Sequence, residues 1–272
     1  MIRNITLGQY YPAKSRIHAL DPRVKLFATF IFLISLFVNN SFTGYIFIIA
    51  CFGMVIRVSR VPFRYMIRGL KGIIFIMCFS VIINIFITEG QVLLSFWIFK
   101  ITLEGLIRAA YFAIRLILLI LGSSLMTYTT TPNSLTDGLE KSLGFLTYLR
   151  VPVHDFATMI GIALRFIPVL SEEADRIIKA QEARGADFTQ GGLMKRVKGM
   201  IPLIIPLLIS AFRRAEDLSL ALDARCYNKE KWRTKLHPLK YSRADVAAYI
   251  LLLLYLGTVI VSKYAFEYMG FV

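Results

Sequence analysis

Long apolar runs alternate with short polar links through most of the chain. A membrane-spanning helix needs about 20 mostly apolar residues, and flanking polar residues complete a run that is somewhat shorter. Five runs meet or nearly meet this length, at residues 24–38, 42–56, 72–87, 109–128 and 246–261. The pattern predicts an all-α membrane protein with about five transmembrane helices.

The region between the fourth and fifth runs, residues 129–245, has a different pattern. It holds 18 Lys and Arg and 13 of the chain's 17 Asp and Glu, yet its apolar stretches are interrupted by Pro168, Pro202 and Pro206. Because a proline inside a helix removes a hydrogen bond and clashes with the preceding turn, we expect broken or bent helices here. Amphipathic helices lying along or under the membrane fit this composition. A hairpin of two further spans stays open as an alternative.

These patterns predict three parts along the chain. Residues 1–128 form an N-terminal membrane domain of four transmembrane helices, residues 129–245 a cytoplasmic or interfacial module of amphipathic helices, and residues 246–272 a C-terminal transmembrane helix. Within residues 92–103, where apolar and aromatic side chains are frequent, we expect a short outer hairpin or an interfacial segment.

Basic residues are distributed unevenly about the predicted spans. They are frequent before the first span and in the link after the second, and rare in the links after the first and third. Since Lys and Arg stay on the cytoplasmic side, the N-terminus and region 129–245 are predicted to be cytoplasmic and the C-terminus to lie outside. The basic residues of the two rich segments are Arg3, Lys14, Arg16, Arg23, Arg57, Arg60, Arg64, Arg68 and Lys71.

Composition agrees with the hydrophobic pattern. Of the 272 residues, 57% are hydrophobic and 18% charged, whereas a soluble domain has roughly 45–50% and about 25%. These values exclude a disordered chain, a disulfide-rich secreted protein and an ordinary soluble enzyme. A net charge of +15 is compatible with a nucleic-acid binder, but the apolar content is not.

A short sequence pattern occurs twice in the region between the fourth and fifth runs. Residues 174–185 read ADRIIKAQEARG and residues 215–226 read AEDLSLALDARC, and the matching positions keep a constant offset. Both copies are rich in good helix formers, so each predicts a helix that ends in an acid, Ala, Arg and a small residue. The two ends are Ala183-Arg184-Gly185 and Ala224-Arg225-Cys226.

Two interpretations of Arg184 and Arg225 stay open. A cation near a helix C-terminus is favoured by about 0.3–1 kcal/mol and can bond the last carbonyls, so either arginine could be a cap. Capping does not explain why the same Ala and acid precede both arginines. A planar, permanently charged guanidinium also suits insertion into a partner. The repetition favours docking into two similar sockets, such as those on a dimer of related subunits.

Three more residues of this region are candidates for a structural or coupling role. Arg165 and Pro168 share the apolar run LRFIP, where a charge is costly unless it is paired or lies at an interface. Glu173, in the acid pair that follows, could be the partner of Arg165, or it could help cap a helix beginning after Ser171. Arg115, within the fourth predicted span, either pairs within the bundle or marks a contact to another subunit.

Catalytic signatures are absent from the sequence. No phosphate-binding loop of the form GxxxxGK[ST] occurs, so we expect that the chain does not bind and hydrolyse ATP by itself. The three cysteines and three histidines form no metal-ligating pattern, and we expect no resident cofactor. The basic stretch 228–240 is expected to attract anionic lipid headgroups rather than nucleic acid.

Several segments together resemble the transmembrane coupling subunit, EcfT, of energy-coupling factor (ECF) transporters. The resemblance covers nearly the whole chain, and it departs from the family at Cys226, where glycine is frequent. The opening LGQYYP resembles the form that is shared among several substrate-binding subunits. The segments that carry the resemblance are SRIHALDPRVKL at 15–26, LRFIP at 164–168, AQEARG at 180–185 and ALDAR at 221–225.

The resemblance implies a non-catalytic subunit of an ABC importer in the plasma membrane of a prokaryote. Family members join two cytoplasmic ABC ATPases, EcfA and EcfA′, to a small membrane protein, the S subunit, that captures a vitamin or related micronutrient. The partner ATPases hold ATP and Mg²⁺, and amphipathic helices of the coupling subunit face the S subunit. Transferred to this sequence, the residues that dock in the ATPases are Ala183, Arg184, Gly185, Ala224, Arg225 and Cys226.

Two other function classes stay open. A self-sufficient secondary carrier or channel should have a substrate or ion site near the membrane midplane, whereas here the acids avoid the spans. A membrane-embedded enzyme, or its anchor, should gather His, Asp or Glu near one membrane face, and the sequence shows no such cluster.

Overall fold

The computed structural model describes residues 10–39, 41–88, 92–96, 99–186, 192–227 and 238–268. Strands β1 (Val92–Phe96) and β2 (Phe99–Thr102) form an antiparallel hairpin, and a 3-10 turn spans Gly144–Leu149. This confirms the all-α membrane class, with the hairpin that was predicted within residues 92–103. The helices are α1 (Pro22–Val38), α2 (Phe42–Ser59), α3 (Phe63–Leu70), α4 (Ile74–Ile87), α5 (Leu103–Thr129), α6 (Pro132–Ser142), α7 (Val153–Ala183), α8 (Leu193–Ala224) and α9 (Arg243–Tyr268).

The described residues form two compact units. The first, here called the two-helix unit, comprises the described residues between 150 and 238 and contains α7 and α8. The second, the bundle unit, comprises those between 10 and 149 together with 239–268 and contains the remaining helices and the hairpin. The functional division of the chain into a membrane domain, a cytoplasmic module and a last span stays a prediction.

Three helices of the bundle unit begin where the sequence supplies a side-chain acceptor. Asp21, Thr102 and Thr131 precede α1, α5 and α6, and each accepts a hydrogen bond from a backbone N–H of the first turn at 2.9–3.3 Å. Such bonds satisfy donors that have no partner inside the helix. Pro22 and Pro132 occupy the next position, where a missing N–H removes no helical bond.

One face of the bundle unit collects the starts of α1 and α9 and the ends of α2 and α5. The N–H of Asp21, before α1, donates to the carboxylate of Asp245 in α9 at 2.8 Å. Tyr11, in the segment that precedes α1, donates its N–H to the carbonyl of Tyr128 in α5 at 2.9 Å. Arg60, directly after α2, donates to the backbone of the same N-terminal segment at 3.5 Å.

The opposite face carries the end of α4 and the start of α5. The hydroxyl of Thr102 donates to the carbonyl of Thr88 at 2.8 Å, which closes the link that contains the hairpin. Helices α1, α2, α4, α5 and α9 therefore run in alternating directions, as five successive crossings require. By length and composition, α5 and α9 are long and apolar enough to cross a membrane, and α2 and α4 contribute shorter apolar helices.

The core of the bundle unit lies among α1, α2, α5 and α9. Leu36, Ile48 and Val259 lie in it, each with at most 1% of its surface exposed. Helices α1 and α5 approach closely at Gly122, where an added Cβ would come within 2.6 Å of the Phe32 ring. A side chain at this position would therefore push the two helices apart.

Of the broken or bent helices expected in region 129–245, the broken alternative is wrong for the described residues, and bending at the prolines stays a prediction. Helix α7 runs for 31 residues with Pro168 inside it, and α8 runs for 32 residues with Pro202 and Pro206 inside it. Each proline removes one N–H, at a cost of about 3 kcal/mol, but the hydrogen bonds of several turns on both sides remain. Helix α7 is also long and apolar enough to cross a membrane, so the alternative of additional spans stays open.

Candidate docking site at two matched helix ends

Helices α7 and α8 end at equivalent positions of the sequence repeat. The last helical residues are Ala183 and Ala224, and the next residues, Arg184 and Arg225, are the C-caps. The predicted helix ends are therefore in register with each other.

The end of α7 is closed by backbone hydrogen bonds alone. Gln181 accepts from the N–H groups of Arg184 at 3.1 Å and Ala186 at 3.0 Å, and Glu182 accepts from the N–H of Gly185 at 2.9 Å. The last two of these bonds define a Schellman motif, in which the chain turns back over the final helical turn. Two carbonyls of the last turn thus already have backbone donors.

The end of α8 repeats the same three bonds. Leu222 accepts from Arg225 at 3.1 Å and from Tyr227 at 2.9 Å, and Asp223 accepts from Cys226 at 2.9 Å. Each donor and acceptor occupies the position of the repeat that matches its counterpart in α7. The two ends therefore present the same backbone shape, although their sequences share only part of the motif.

A left-handed residue follows each cap. Gly185 has φ +86° and Cys226 has φ +54°. Glycine adopts this conformation freely, whereas a residue with a Cβ pays roughly 1–2 kcal/mol for it. Cys226 adopts the turn nonetheless, so the departure from glycine does not alter the geometry that presents Arg225.

All six residues of the two ends are exposed, namely Ala183, Arg184, Gly185, Ala224, Arg225 and Cys226. Neither guanidinium makes an ion pair or hydrogen bond with another residue that the structure describes. Backbone N–H groups already bond two carbonyls of each last turn that a capping arginine could otherwise bond. Each end thus offers a small residue, an exposed cation and a tight turn to the solvent.

Glu173 pairs with a residue that the sequence does not suggest. Its carboxylate lies 3.6 Å from the guanidinium of Arg214, which joins α7 to α8 within the two-helix unit. Ala174, next to it, is buried with 8% of its surface exposed, so the contact lies where the two helices meet. The only available signal was the repeat itself, because Glu173 and Arg214 are separated by the same offset as Arg184 and Arg225.

The structural or coupling role expected for the other candidates in α7 stays a prediction. Arg165 and Pro168 lie on exposed parts of the helix. Glu173 is in the interior of α7 rather than near a helix start, so the prediction of a cap after Ser171 is wrong. Helix α7 begins at Val153 and continues through Pro168, so the acids that follow Ser171 are about five turns from its start.

Arg115 bonds within the bundle unit. Its Nε donates to the hydroxyl of Tyr45 in α2 at 2.9 Å, and the same hydroxyl donates to the carbonyl of Leu36 in α1 at 3.1 Å. Its guanidinium also lies 5.6 Å from the centre of the Phe37 ring. Of the two interpretations of this arginine, the described contacts are those of a pair within the bundle.

The motif at residues 15–26 forms the junction of the N-terminal segment with α1 and α5. Lys25 is 7% exposed, and its Nζ donates to the carbonyls of His18 at 3.0 Å and Thr129 at 2.9 Å. The ring nitrogens of His18 lie 2.7 Å from the hydroxyl of Ser15 and 3.0 Å from the carbonyl of Tyr11. Burial lowers the pKa of His18, outweighing the hydrogen bond to Tyr11, and the Lys25 charge acts in the same direction as burial.

Asp245 ties α9 to the same junction. It is 2% exposed and accepts from the N–H of Asp21 at 2.8 Å and from the N–H and hydroxyl of Ser242 at 2.7 and 2.9 Å. Arg23 pairs with Asp21 at 2.9 Å and stacks on the Tyr241 ring at 3.9 Å. Sequence reasoning missed this network. The available signal was an acid directly before the last apolar run and a lysine inside the first.

No metal centre accompanies these contacts within the described part of the chain. Groups of three or more His, Cys, Asp or Glu side chains that could hold an ion do not occur there. The ends of α7 and α8 instead present exposed arginines on turns of the same shape, and this suits recognition of a partner surface.

Comparison with known proteins gives the family. Residues 13–236, a range that includes both arginine ends, match the family model described as cobalt transport protein, CbiQ. The chain is 46% identical over 266 residues to the energy-coupling factor transporter transmembrane protein EcfT of Ruminiclostridium cellulolyticum, which covers 98% of this chain and 100% of the relative. This chain belongs to the EcfT family.

Other relatives in the EcfT family agree. The EcfT protein of Clostridium kluyveri is 48% identical over 250 residues, covering 91% of this chain and 93% of the relative. That of Bacillus subtilis is 41% identical over 258 residues, covering 93% and 96%. The resemblance seen in the sequence is therefore confirmed. The chain is a membrane-integral component of an ECF transporter.

Proposed function

We propose that this chain couples two cytoplasmic ATPases to a substrate-binding S subunit in an ECF-type importer of vitamins or related micronutrients. In this proposal the ends of α7 and α8 dock one each in the ATPases EcfA and EcfA′. Movement of the ATPases on binding and hydrolysing ATP shifts α7 and α8, and these helices reorient the S subunit in the membrane. The chain itself is not catalytic, and ATP and Mg²⁺ are held by the ATPases.

The matched helix ends carry the proposal. Backbone donors already bond two of the last carbonyls at each end, so fewer are left for a capping guanidinium. The helix dipole alone would favour a cation, but it does not select the same preceding alanine and the same left-handed turn twice. Two exposed helix ends with the same shape are expected if they bind equivalent grooves on two related ATPases.

The ion pair between Glu173 and Arg214 supports an equivalent role for the two helix ends, because both ends are equally far from it. Glu173 precedes Arg184 by the same interval by which Arg214 precedes Arg225. At a rise of about 1.5 Å per residue, each arginine is about 16 Å along its own helix from the pair. In the proposal, a displacement of either helix end therefore reaches the contact between the two helices along a helical segment of the same length.

The apolar surfaces of α7 and α8 support contact with a membrane partner. Each helix has long exposed apolar side chains ahead of its charged C-terminal part, in the first half of α7 and in the middle of α8. In the proposal these surfaces face the S subunit and surrounding lipid. The exposed residues are Phe156, Met159, Ile160 and Ile167 in α7, and Ile201, Ile204, Ile205, Leu208, Ile209 and Phe212 in α8.

The proposed location is the plasma membrane of a prokaryote, with the N-terminus cytoplasmic and the C-terminus outside. Two observations support this orientation. Basic residues concentrate in the segments that meet at one face of the bundle unit, and Lys and Arg favour the cytoplasmic side. The start of α9 lies at that same face, so its other end lies opposite.

Co-purification with the two ATPases and an S subunit tests the proposal. We expect the wild-type chain to retain both ATPases and the Arg184→Glu, Arg225→Glu variant to lose them, because each substitution puts an anion where a cation docks. The control is Arg176→Glu, Arg213→Glu, which makes the same charge change at exposed arginines within the same two helices. A folded double variant that still held both ATPases, or ATP-independent substrate uptake by this chain alone, would contradict the proposal.

A further inference from the structure

A basic cleft lies at the end of α2 in the bundle unit. It has a volume of about 860 Å³ and is formed by the N-terminal segment on one side and the last turn of α2 on the other. Four of the lining residues are cations, and no carboxylate is among them. The lining residues are Lys14, Ser15, Arg16, His18, Ala19, Arg57, Val58 and Arg60.

The four cations have no acid partner among the described residues. The dipole of α2 favours Arg57 in its last turn, but it does not account for Lys14 and Arg16, which come from a different segment. Like charges that converge on one cleft repel each other. An anion in the cleft would relieve this repulsion.

The backbone at Arg60 is specialised for this place. Arg60 has φ +57°, the left-handed conformation that is costly for a residue with a side chain. Its Nη1 donates to the carbonyl of Lys14 at 3.5 Å, so the turn brings the two walls of the cleft together. Strained positions of this kind occur where a ligand or an interface depends on them.

An exposed apolar stripe leads from the cleft along α2. Val58 lines the cleft and is 42% exposed, and Met54 lies one turn away and is 70% exposed. Residues spaced by four lie on one side of a helix. The cleft thus sits where an apolar helix surface gives way to positive charge.

We propose that this cleft binds the phosphate of an anionic phospholipid headgroup, with the acyl chains lying along Met54 and Val58. Guanidinium groups match phosphate oxygens in two-pronged hydrogen bonds. Basic pockets beside membrane helices suit anionic headgroups because a headgroup there meets cations while its chains stay in hydrocarbon. The site does not depend on the ATPase docking proposed above, since it lies wholly within the bundle unit.

Binding to the full chain in neutral detergent tests this site. The probes are short-chain phosphatidylglycerol, phosphatidylcholine with the same acyl chains, and inorganic phosphate, with dissociation constants measured by calorimetry. We expect phosphatidylglycerol to bind most tightly, because only this probe offers both net negative charge and acyl chains. Equal binding of the two lipids, or binding of inorganic phosphate as tight as that of phosphatidylglycerol, would overturn the proposal.

Matched variants locate the binding. The cleft variant Lys14→Gln, Arg16→Gln, Arg57→Gln is expected to weaken phosphatidylglycerol binding by about fivefold per cation, and therefore by about 100-fold. The control Arg64→Gln, Lys71→Gln, Lys141→Gln removes as many exposed cations outside the cleft. If the cleft triple does not fold, Arg16→Gln alone should show the fivefold loss. Equal effects of the cleft and control substitutions would contradict the location.

Discussion

Glu173 of α7 and Arg214 of α8 form an ion pair at 3.6 Å, and they occupy equivalent positions of the sequence repeat. The two copies of the repeat therefore contact each other through matching positions of the repeat. Partly exposed pairs contribute little to stability, at most about 1 kcal/mol. The importance of this pair lies in holding the two helices in one register.

Reversal of the Glu173–Arg214 charges tests this role. Glu173→Arg and Arg214→Glu each place like charges at the helix crossing and should reduce ATP-dependent uptake by the reconstituted transporter. The double exchange restores opposite charges and should recover most of the uptake, with a coupling energy of about 0.5–1 kcal/mol in a double-mutant cycle of unfolding. Additive losses in the double variant would show that the pair is not what sets the register.

Substitution by alanine should change the free energy of unfolding in opposite directions at Gly185, in the left-handed turn, and at Gly161, inside α7. Gly185→Ala introduces a Cβ at φ +86° and should lower the free energy of unfolding by about 1 kcal/mol. Gly161→Ala lies inside α7 with open space around it and should raise it by roughly 0.5–1 kcal/mol. Denaturant unfolding of the full chain in detergent measures both. If the free energy of unfolding changed in the same direction for both variants, this would argue against a left-handed turn at Gly185.

Cys226→Gly provides the complementary change at the second helix end. Cys226 has φ +54°, and glycine removes the strain at the cost of a more flexible unfolded chain. We expect a gain in the free energy of unfolding of about 0.5–1 kcal/mol, with ATPase retention unchanged. A loss of stability would mean that the thiol makes a contact that outweighs the strain.

Much of the fold follows from local patterns in the sequence. Apolar run length predicts the membrane helices, since every predicted run lies largely inside one of α1, α2, α4, α5 and α9. The repeated Ala-Arg motif predicts two helix ends in the same phase, because cap geometry depends on a few adjacent residues. The structure shows that even the hydrogen bonds at these ends are the same.

Contacts between distant residues could not be predicted in this way. Asp245 bonds the N–H of Asp21, which is far away along the chain, and nothing local to either residue identifies the other. The prediction of a break at Pro168 was wrong for a related reason, since a proline penalty of about 3 kcal/mol is local, whereas helix continuity depends on the whole α7 sequence. Glu173 likewise lacked a local signal for Arg214.

The buried lysine of the junction should be important for stability. Lys25→Met keeps much of the side-chain volume but leaves the carbonyls of His18 and Thr129 without this donor. A buried acceptor without a partner costs about 1–3 kcal/mol, and we expect a loss within this range. Lys71→Met, at an exposed position, should change the free energy of unfolding by less than about 0.5 kcal/mol. Equal changes in the free energy of unfolding for Lys25→Met and Lys71→Met would show that the two hydrogen bonds of Lys25 do not stabilise the fold.

His18 should make stability depend on pH. Burial lowers its pKa below the ordinary value of 6.5, so the folded chain binds this proton less readily than the unfolded chain. Stability is therefore full above about pH 6.5 and falls as the pH drops from there toward the folded-state pKa. His18→Gln should flatten this part of the pH profile of unfolding relative to the wild-type chain. An unchanged profile in His18→Gln would exclude this histidine as the cause.

Site-specific photo-crosslinking tests the docking of the two helix ends most directly. A photoreactive amino acid is placed singly at Arg184, Arg225, Arg176 or Arg213 in the complex co-expressed with both ATPases and an S subunit. The account predicts adducts with an ATPase from positions 184 and 225, each end capturing one ATPase, and none from positions 176 and 213. Adducts with an ATPase from the control positions only, or none from either helix end in an intact complex, would contradict it.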